Sequence, residues 1–136
     1  MRFYIVIPAH NEEAYIRDCL ISLAEQSLPP KKIIVVNDHS SDQTPTVVEK
    51  LKTLYPCIDM VNHQSSEKHL PGEKIITAFY KGFEQLDEVY DVVCKFDADL
   101  IFPKNYLETL AKHYKKDPKL GLIAGHCYIE KNKQWI

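Results

Sequence analysis

The chain has 136 residues, of which 45% are hydrophobic and 26% are charged. This composition is typical of a globular protein, and the length is sufficient for one domain with a buried core. The formal net charge of -2 provides no basic field, which argues against a nucleic-acid partner. No apolar stretch approaches the roughly 20 residues that a transmembrane helix needs. The sequence therefore predicts a single domain, residues 1–136, without a transmembrane segment.

Short apolar runs alternate with segments of helical periodicity along the whole chain. Residues 3–7 predict a buried strand, and Asn11 is predicted to cap a first helix with Glu12 and Glu13 in its first turn. Thr44-Pro45 predicts the start of a second helix, because proline is favoured at the first helical position. Further strands are predicted at 33–36, 58–61, 91–96 and 120–124, and further helices at 75–86 and 103–114. This alternation indicates an α/β fold with a mostly parallel sheet and helices on both faces.

The four cysteines, Cys19, Cys57, Cys94 and Cys127, are far apart along the chain. They form no Cys-x-x-Cys pair, and the six histidines have no zinc-ligand spacing relative to them. Free cysteines in apolar runs behave as small hydrophobic residues. The pattern favours a reduced, cytoplasmic compartment over a disulfide-stabilised one.

Three polar clusters follow predicted strands, at the points where the strands end. They comprise residues 8–12, 37–42 and 97–99. Ligands of open α/β sheets bind beyond the carboxyl ends of the strands. The three clusters are therefore expected to meet at one edge of the sheet and to form a ligand site there.

Asp97 and Asp99 follow a predicted buried strand and are separated by one alanine. Two neighbouring carboxylates repel each other unless a cation or hydrogen-bond donors compensate, so a hard divalent cation is a natural ligand. Such a cation could bind both phosphates of a nucleoside diphosphate and neutralise the charge of a leaving group. The structural alternative is a solvated turn in which Asp99 caps the helix that begins near Pro103.

Asp38 lies one residue beyond four consecutive apolar residues, where a carboxylate can reach a nucleobase or a ribose. Turn chemistry explains Asp38 equally well, and Ser40 and Asp42 have a ready structural explanation as turn and helix-capping residues. Lys74, near the start of the third helix, adds a positive charge where backbone N–H groups favour a diphosphate. His10 could contact a ligand, although a loop histidine is more often simply solvated.

Two common nucleotide-binding motifs are missing from the sequence. Residues 8–11 contain no glycine, which argues against a Gly-x-Gly-x-x-Gly turn, and no Gly-x4-Gly-Lys-Ser/Thr phosphate loop occurs. A phosphoacceptor receiver domain would need an acidic pair directly after the first strand, where this chain has Pro8-Ala9-His10-Asn11. The site therefore needs a different explanation.

Together, the three clusters resemble the motifs of the family 2 glycosyltransferases with the GT-A fold. Residues 5–13 are similar to that family's first strand and Pro-x-x-Asn-Glu loop, and residues 33–44 to its Val-Asp-Asp-Gly-Ser-x-Asp-x-Thr segment. Residues 94–99 match its strand and Asp-x-Asp motif. Asn37 and His39 depart from the pattern, since aspartate and glycine are frequent there in the family. The resemblance implies metal-dependent transfer of a sugar, with inversion, from a nucleotide-diphosphate donor to an acceptor hydroxyl.

The resemblance also implies roles for individual residues. Asp38 would hydrogen-bond the base, most often uracil. Asp97 would lie near the ribose or the water shell of the metal, while Asp99 would coordinate Mn²⁺ or Mg²⁺ between the phosphates. Residues of the first loop would line the nucleoside pocket: Pro8, Ala9, Asn11 and Glu12.

The same resemblance implies a GT-A fold that stops before its acceptor-side half, which would supply the general base. The catalytic base is therefore expected beyond Ile136, and residues 1–136 alone are expected to bind donor but to transfer sugar poorly. The acceptor would be a saccharide, a lipid-linked molecule or another hydroxyl compound. Peripheral association with the inner face of the membrane is compatible with such acceptors.

Two other classes of protein remain open from the sequence. A sugar nucleotidyltransferase could share the α/β architecture and an acidic metal site, but it should have a Gly- and Arg-rich loop after the first strand. A non-catalytic nucleotide-sugar-binding module would keep the donor site without activity. Binding of a nucleoside diphosphate, with and without metal, distinguishes these classes.

Overall fold

A computed structural model describes residues 1–65 and 72–136. The described elements are, in chain order, β1 (Phe3–Ala9), α1 (Ile16–Ala24), β2 (Lys32–Asp38), α2 (Thr44–Leu54), β3 (Ile58–His63), α3 (Glu73–Phe83), β4 (Val92–Lys95), α4 (Tyr106–Lys116), β5 (Glu130–Lys131) and β6 (Gln134–Trp135). The alternation of strands and helices that was predicted is confirmed up to the end of α4. None of the helices within the described ranges is long and apolar enough to cross a membrane.

The first four strands form one parallel sheet in the order β3-β2-β1-β4. On one face, α1, α2 and α4 pack against the sheet and form the larger core, which includes Ile5, Ile7 and Val35. On the other face, α3 packs on a smaller core that includes Val6 and Val36. Because both faces are covered, β1 and β2 are apolar at consecutive positions rather than at alternate ones.

The backbone of α3 lies close to the sheet at Gly82. A Cβ atom added at Gly82 would stand 2.6 Å from Val6 Cγ1 and 2.6 Å from Val36 Cγ2. Real Cβ atoms do not approach other atoms so closely, so glycine permits this approach of the helix to β1 and β2. The contact also fixes the height of α3 above the sheet, and with it the position of its first turn.

The first helix begins later than predicted, and Asn11 does not cap it. Asn11 has a φ of 51°, and α1 starts at Ile16 after a turn in which Ile16 N–H donates to Glu12 O at 2.9 Å. The Asn11 carboxamide oxygen instead accepts hydrogen bonds from the backbone N–H groups of Ser41, at 2.8 Å, and Asp42, at 3.3 Å. An asparagine after a strand can bind the backbone of a neighbouring loop as well as cap a helix. Here Asn11 binds the loop after β2.

The strand predicted at 120–124 is wrong. The structure describes these residues but forms no strand there, and Leu122 is 86% exposed. An apolar run predicts a strand only if a neighbour completes its backbone hydrogen bonds, and none of the described strands pairs with this run. The antiparallel hairpin of β5 and β6 follows instead, with Asn132 and Lys133 at φ values of 52° and 61° in its tight turn.

Candidate functional site

A cleft of about 590 Å³ opens at the carboxyl ends of β1 and β2, beside the loop after β4 and the first turn of α3. Strands β2 and β4 lie on either side of β1. The strand order therefore reverses at β1, because β2 and β3 are added on one side of it and β4 on the other. Such a point is where open α/β sheets bind ligands. The lining residues come from all three predicted clusters and from α3: Pro8, Ala9, His10, Glu12, Asp38, His39, Gly72, Lys74, Ile75, Ala78, Asp97, Ala98 and Asp99.

The cleft brings together the predicted site residues with one exception. Asn11 does not belong to its lining. Its backbone N–H donates to Ser40 Oγ at 3.1 Å, and its carboxamide oxygen accepts from Ser41 N–H at 2.8 Å. Asn11 therefore fastens the loop after β1 to the loop after β2, and the structure gives it a positioning role at the site.

Further hydrogen bonds hold these two loops together. Glu12 N–H donates to Thr44 Oγ1 at 2.9 Å, and Glu13 N–H donates to Asp42 Oδ2 at 3.2 Å. Asp42 Oδ1 accepts from Thr44 N–H at 2.9 Å, at the first residue of α2, which confirms the turn role predicted for Asp42, whereas the N-cap position of α2 is Gln43. The two loops thus form one rigid wall of the cleft.

Asp38 places a charged carboxylate at the base of the cleft. Its side chain is 8% exposed. Burial acts to raise the pKa of Asp38, but hydrogen bonds from His39 and Ser65 outweigh it and leave the pKa below its ordinary value. Both bonds go to Oδ1, from His39 Nδ1 at 2.8 Å and from Ser65 N–H at 2.9 Å. Asp38 is therefore a preorganised hydrogen-bond acceptor at neutral pH.

Asn37, next to Asp38, has a structural role. It is 6% exposed, and its carboxamide nitrogen donates to Asn62 Oδ1 at 3.0 Å. Its carboxamide oxygen accepts from Ser40 N–H at 3.2 Å. The Asn37 carboxamide thus donates to one neighbour and accepts from another, which an ionised aspartate could not do.

Two histidines, His10 and His39, line the cleft wall. The sequence indicates only that His10 could contact a ligand, and it assigns His39 no role in the site. His10 Nδ1 donates to the Asp38 backbone oxygen at 2.7 Å, so its Nε2 can accept from the Asn11 carboxamide at 3.3 Å. The His10 and His39 rings lie 4.7 Å apart between centroids. The signal was present in the sequence, because His39 occupies a glycine position of the motif and has a φ of 44°. Loop histidines are common enough that this signal was discounted.

Asp97 and Asp99 are exposed at the mouth of the cleft. Asp97 Oδ1 pairs with Lys95 Nζ at 3.2 Å. No hydrogen bond or ion pair to the Asp99 carboxylate occurs within 1–65 and 72–136. The capping explanation for Asp99 is wrong, because α4 begins at Tyr106 with Asn105 at its N-cap. The Asp99 side chain therefore has no structural task in the described fold.

Glu12 is the third carboxylate at this end of the cleft. Its pKa is raised by partial burial and then by the negative charges of Asp99, Asp42 and Asp97. The part of the chain that is described has no group of three or more His, Cys, Asp or Glu side chains arranged to hold a metal. Divalent cations at phosphate sites commonly use one or two carboxylates together with the phosphates of the ligand. The charge of Asp97 is partly compensated by Lys95, whereas that of Asp99 is not, and these oxygen donors fit such a shared cation.

Replacement of Glu12 by glutamine tests this electrostatic description. Above its pKa, charged Glu12 is disfavoured by partial burial and repelled by its neighbours, and both effects disappear when Glu12 is protonated at lower pH. We expect the metal-free Glu12→Gln protein to unfold at a higher temperature than the unmodified protein at pH 7, with the difference vanishing near pH 4. Thermal unfolding at both pH values measures this. Equal unfolding temperatures at pH 7 would show that neither burial nor the neighbouring carboxylates disfavour the charged form of Glu12.

The first turn of α3 provides the opposite charge across the cleft. Gly72, with a φ of 83°, precedes the helix, and Lys74 is exposed beside it in the lining. Backbone N–H groups at a helix N-terminus carry partial positive charge and bind anions. The cleft thus combines a buried acceptor at Asp38, carboxylates at one end and a positive helix terminus.

Comparison with known proteins agrees with this geometry. Residues 4–135 match the family model described as Glycosyl transferase family 2. The "Probable glycosyltransferase YdaM" of Bacillus subtilis (strain 168) is 34% identical over 123 residues, which cover 89% of this chain and 28% of that protein. Poly-beta-1,6-N-acetyl-D-glucosamine synthase of Staphylococcus aureus (strain COL) is 30% identical over 131 residues, or 96% of this chain and 29% of that protein.

A solved structure has the same fold. The chain superimposes on residues 1-349 of S. aureus TarS in complex with UDP with a TM-score of 0.69 and 28% identity, covering 85% of this chain and 32% of that one. The parallel sheet with helices on both faces is therefore of the GT-A type, as predicted. The chain spans less than a third of the length of the two curated relatives. By the match over nearly all its residues, the chain belongs to glycosyltransferase family 2.

Proposed function

We propose that residues 1–136 are the donor-binding half of a metal-dependent sugar transferase, with a nucleotide-diphosphate sugar in the cleft. The observation that carries the proposal is the placement of two different carboxylates in one cleft. Asp38 is buried and held by hydrogen bonds, whereas Asp99 is exposed and carries an uncompensated charge. The first suits a nucleobase N–H group, and the second suits a cation beside phosphates.

The donor is proposed to be a uridine diphosphate sugar. Asp38, charged at neutral pH, can accept the N3–H group of uracil, while Pro8 and Ala9 supply the wall for the nucleoside. TarS, 28% identical to this chain, has been solved with UDP bound, which supports the choice. Asn11 would act here by holding the loop that contains Pro8 and Ala9.

The diphosphate is proposed to lie between the carboxylates and the first turn of α3. Asp99 would hold a Mn²⁺ or Mg²⁺ ion directly, and Asp97, already paired with Lys95, would contribute through its second oxygen or through water. When bound, the ion would neutralise the charge that develops on the departing diphosphate. Lys74 and the backbone N–H groups beside it would bind the phosphate oxygens.

The proposed reaction is a direct displacement at the anomeric carbon by an acceptor hydroxyl, with inversion. The cleft described here holds the donor, and the base that deprotonates the acceptor is proposed to lie outside residues 1–136. The acceptor would be a saccharide or a lipid-linked molecule, met in the cytoplasm at the inner face of the membrane. The polysaccharide synthase among the relatives, 30% identical, is consistent with such an acceptor.

Calorimetric titration of the chain with UDP, with and without Mn²⁺, tests the proposal. We expect UDP to bind in the presence of Mn²⁺ and to bind much more weakly in its absence, because the carboxylates repel an uncompensated diphosphate. Absence of UDP binding under both conditions would reject the donor site. Preferential binding of a nucleoside triphosphate together with a sugar phosphate would point to a nucleotidyltransferase instead.

A further inference from the structure

His39 combines a left-handed backbone with a contact to the cleft carboxylate. Its φ of 44° lies in a region that glycine adopts freely and other residues adopt at a cost. Its imidazole lines the cleft, and its Nδ1 donates to Asp38 Oδ1 at 2.8 Å. The ring packs against His10, whose Nδ1 bonds to the Asp38 backbone oxygen. Costly backbone conformations of this kind concentrate at functional sites. The functional role of His39 is therefore expected to act through its hydrogen bond to Asp38.

The contact from His39 completes the coordination of one oxygen of Asp38. Ser65 N–H donates to the same Oδ1 at 2.9 Å. A carboxylate oxygen has two lone pairs, and those of Oδ1 are used by His39 and Ser65. Both hydrogen bonds that described residues donate to the Asp38 carboxylate thus go to one oxygen. Oδ2 is the oxygen with which Asp38 can accept from a ligand.

Nucleobases differ in how many carboxylate oxygens they require. Uracil presents one ring N–H between two carbonyl groups, and one acceptor oxygen satisfies it. Guanine presents a ring N–H and an amino group side by side, and it pairs best with both oxygens of a carboxylate. Asp38 can therefore offer the full pairing to uracil but not to guanine.

We propose that His39 makes the cleft selective for uracil over guanine by occupying Asp38 Oδ1. This inference rests on the proposed function, because it takes the cleft to be a nucleoside diphosphate site. It adds a residue that does not itself touch the base, and so His39 is a positioning residue for base choice. The residue that carries selectivity is then one at which this chain departs from the family motif.

Three variants of the chain test the inference by titration with UDP and GDP in the presence of Mn²⁺. In His39→Gly, one lone pair of Oδ1 becomes available, and we expect the ratio of UDP to GDP affinity to fall about tenfold, the effect of roughly one added charge-assisted hydrogen bond. His39→Ala should change the ratio in the same direction. His39→Asn should retain the ratio, because the Asn carboxamide nitrogen stands at the position of His Nδ1 and asparagine tolerates positive φ.

Asn132→Gly is the matched control, since Asn132 has a φ of 52° and is exposed in the hairpin far along the chain from the cleft motifs. It should leave the ratio unchanged, and thermal unfolding verifies that each variant is folded. An unchanged ratio in both His39→Gly and His39→Ala, with UDP still bound, would overturn the inference and leave the proposed function standing. A preference of the unmodified chain for GDP would also overturn it. Absence of binding of either nucleotide would overturn the proposed function together with the inference.

Discussion

Replacement of Asp99 by asparagine is expected to abolish the metal-dependent part of UDP binding, with a loss of affinity of at least about 100-fold. Changes to groups that only support a metal ligand cost about 10- to 100-fold, so removal of the proposed ligand itself should cost no less. The side chain keeps its shape and loses its charge. Because Asp99 has no hydrogen bond or ion pair within the described ranges and the N-cap position of α4 is Asn105, the fold should be unaffected. Calorimetry with and without Mn²⁺ measures the loss.

Asp97→Asn provides an internal comparison. Lys95 already compensates part of the Asp97 charge, with Nζ at 3.2 Å from Oδ1. We therefore expect a smaller loss, about tenfold, and a weaker dependence on metal than for Asp99→Asn. Glu49→Gln removes an equivalent charge from the exposed surface of α2 and should change nothing. If the Asp97 variant were the more damaging of the two aspartate variants, the proposed assignment of the metal to Asp99 would be incorrect.

The fold could be predicted because hydrophobic patterning and strand ends obey general rules. Continuous apolar runs at β1 and β2 reflect burial on both faces, and polar residues begin where those strands leave the core. The positions of Asp38 and Asp99 in one cleft follow from this alone, since carboxyl ends of parallel strands share an edge. Such a hydrophobic pattern depends only on the residues of one segment and on which of them are exposed to solvent. A single sequence therefore encodes it directly.

Other features depend on contacts between distant segments, and the sequence does not encode these in any local pattern. Asn11 has the residue type of a helix cap, but its carboxamide is used by the loop 30 residues away. The apolar run at 120–124 has strand composition, yet it has no described strand as a partner. His39 shows its importance only through the distance to Asp38 and the sign of its φ. In each case the contact partner in the folded chain, and not the residue type, determined the structural role.

Replacement of Gly82 by alanine is expected to destabilise the fold by about 1–3 kcal/mol, the usual cost of inserting a methyl group into a filled core. The added Cβ would stand 2.6 Å from methyl groups of Val6 and Val36. Valine is fixed at χ1 and belongs to a buried strand in both cases, so neither neighbour can turn away. Relief requires α3 to move outward from the sheet. Chemical denaturation, compared with Gly121→Ala, measures the cost, because a Cβ at Gly121 meets no atom within 4 Å.

The same substitution connects the packing of α3 to the cleft. Lys74 and Ala78 of α3 form part of the cleft lining, so an outward shift of the helix should widen the cleft and weaken UDP binding in Gly82→Ala. Val6→Ala removes one of the two obstructing methyl groups, and in the double variant the loss should be smaller than the sum of the two single losses. Additive losses would show that the cost of Gly82→Ala does not arise from the contact with Val6. Helix propensity cannot explain a loss, because alanine is more favourable than glycine in a helix by about 1 kcal/mol. Gly82, which is remote from the loops, would then have no part in shaping the cleft. Coupled losses would instead show that the cleft holds the donor only when α3 lies close to the sheet.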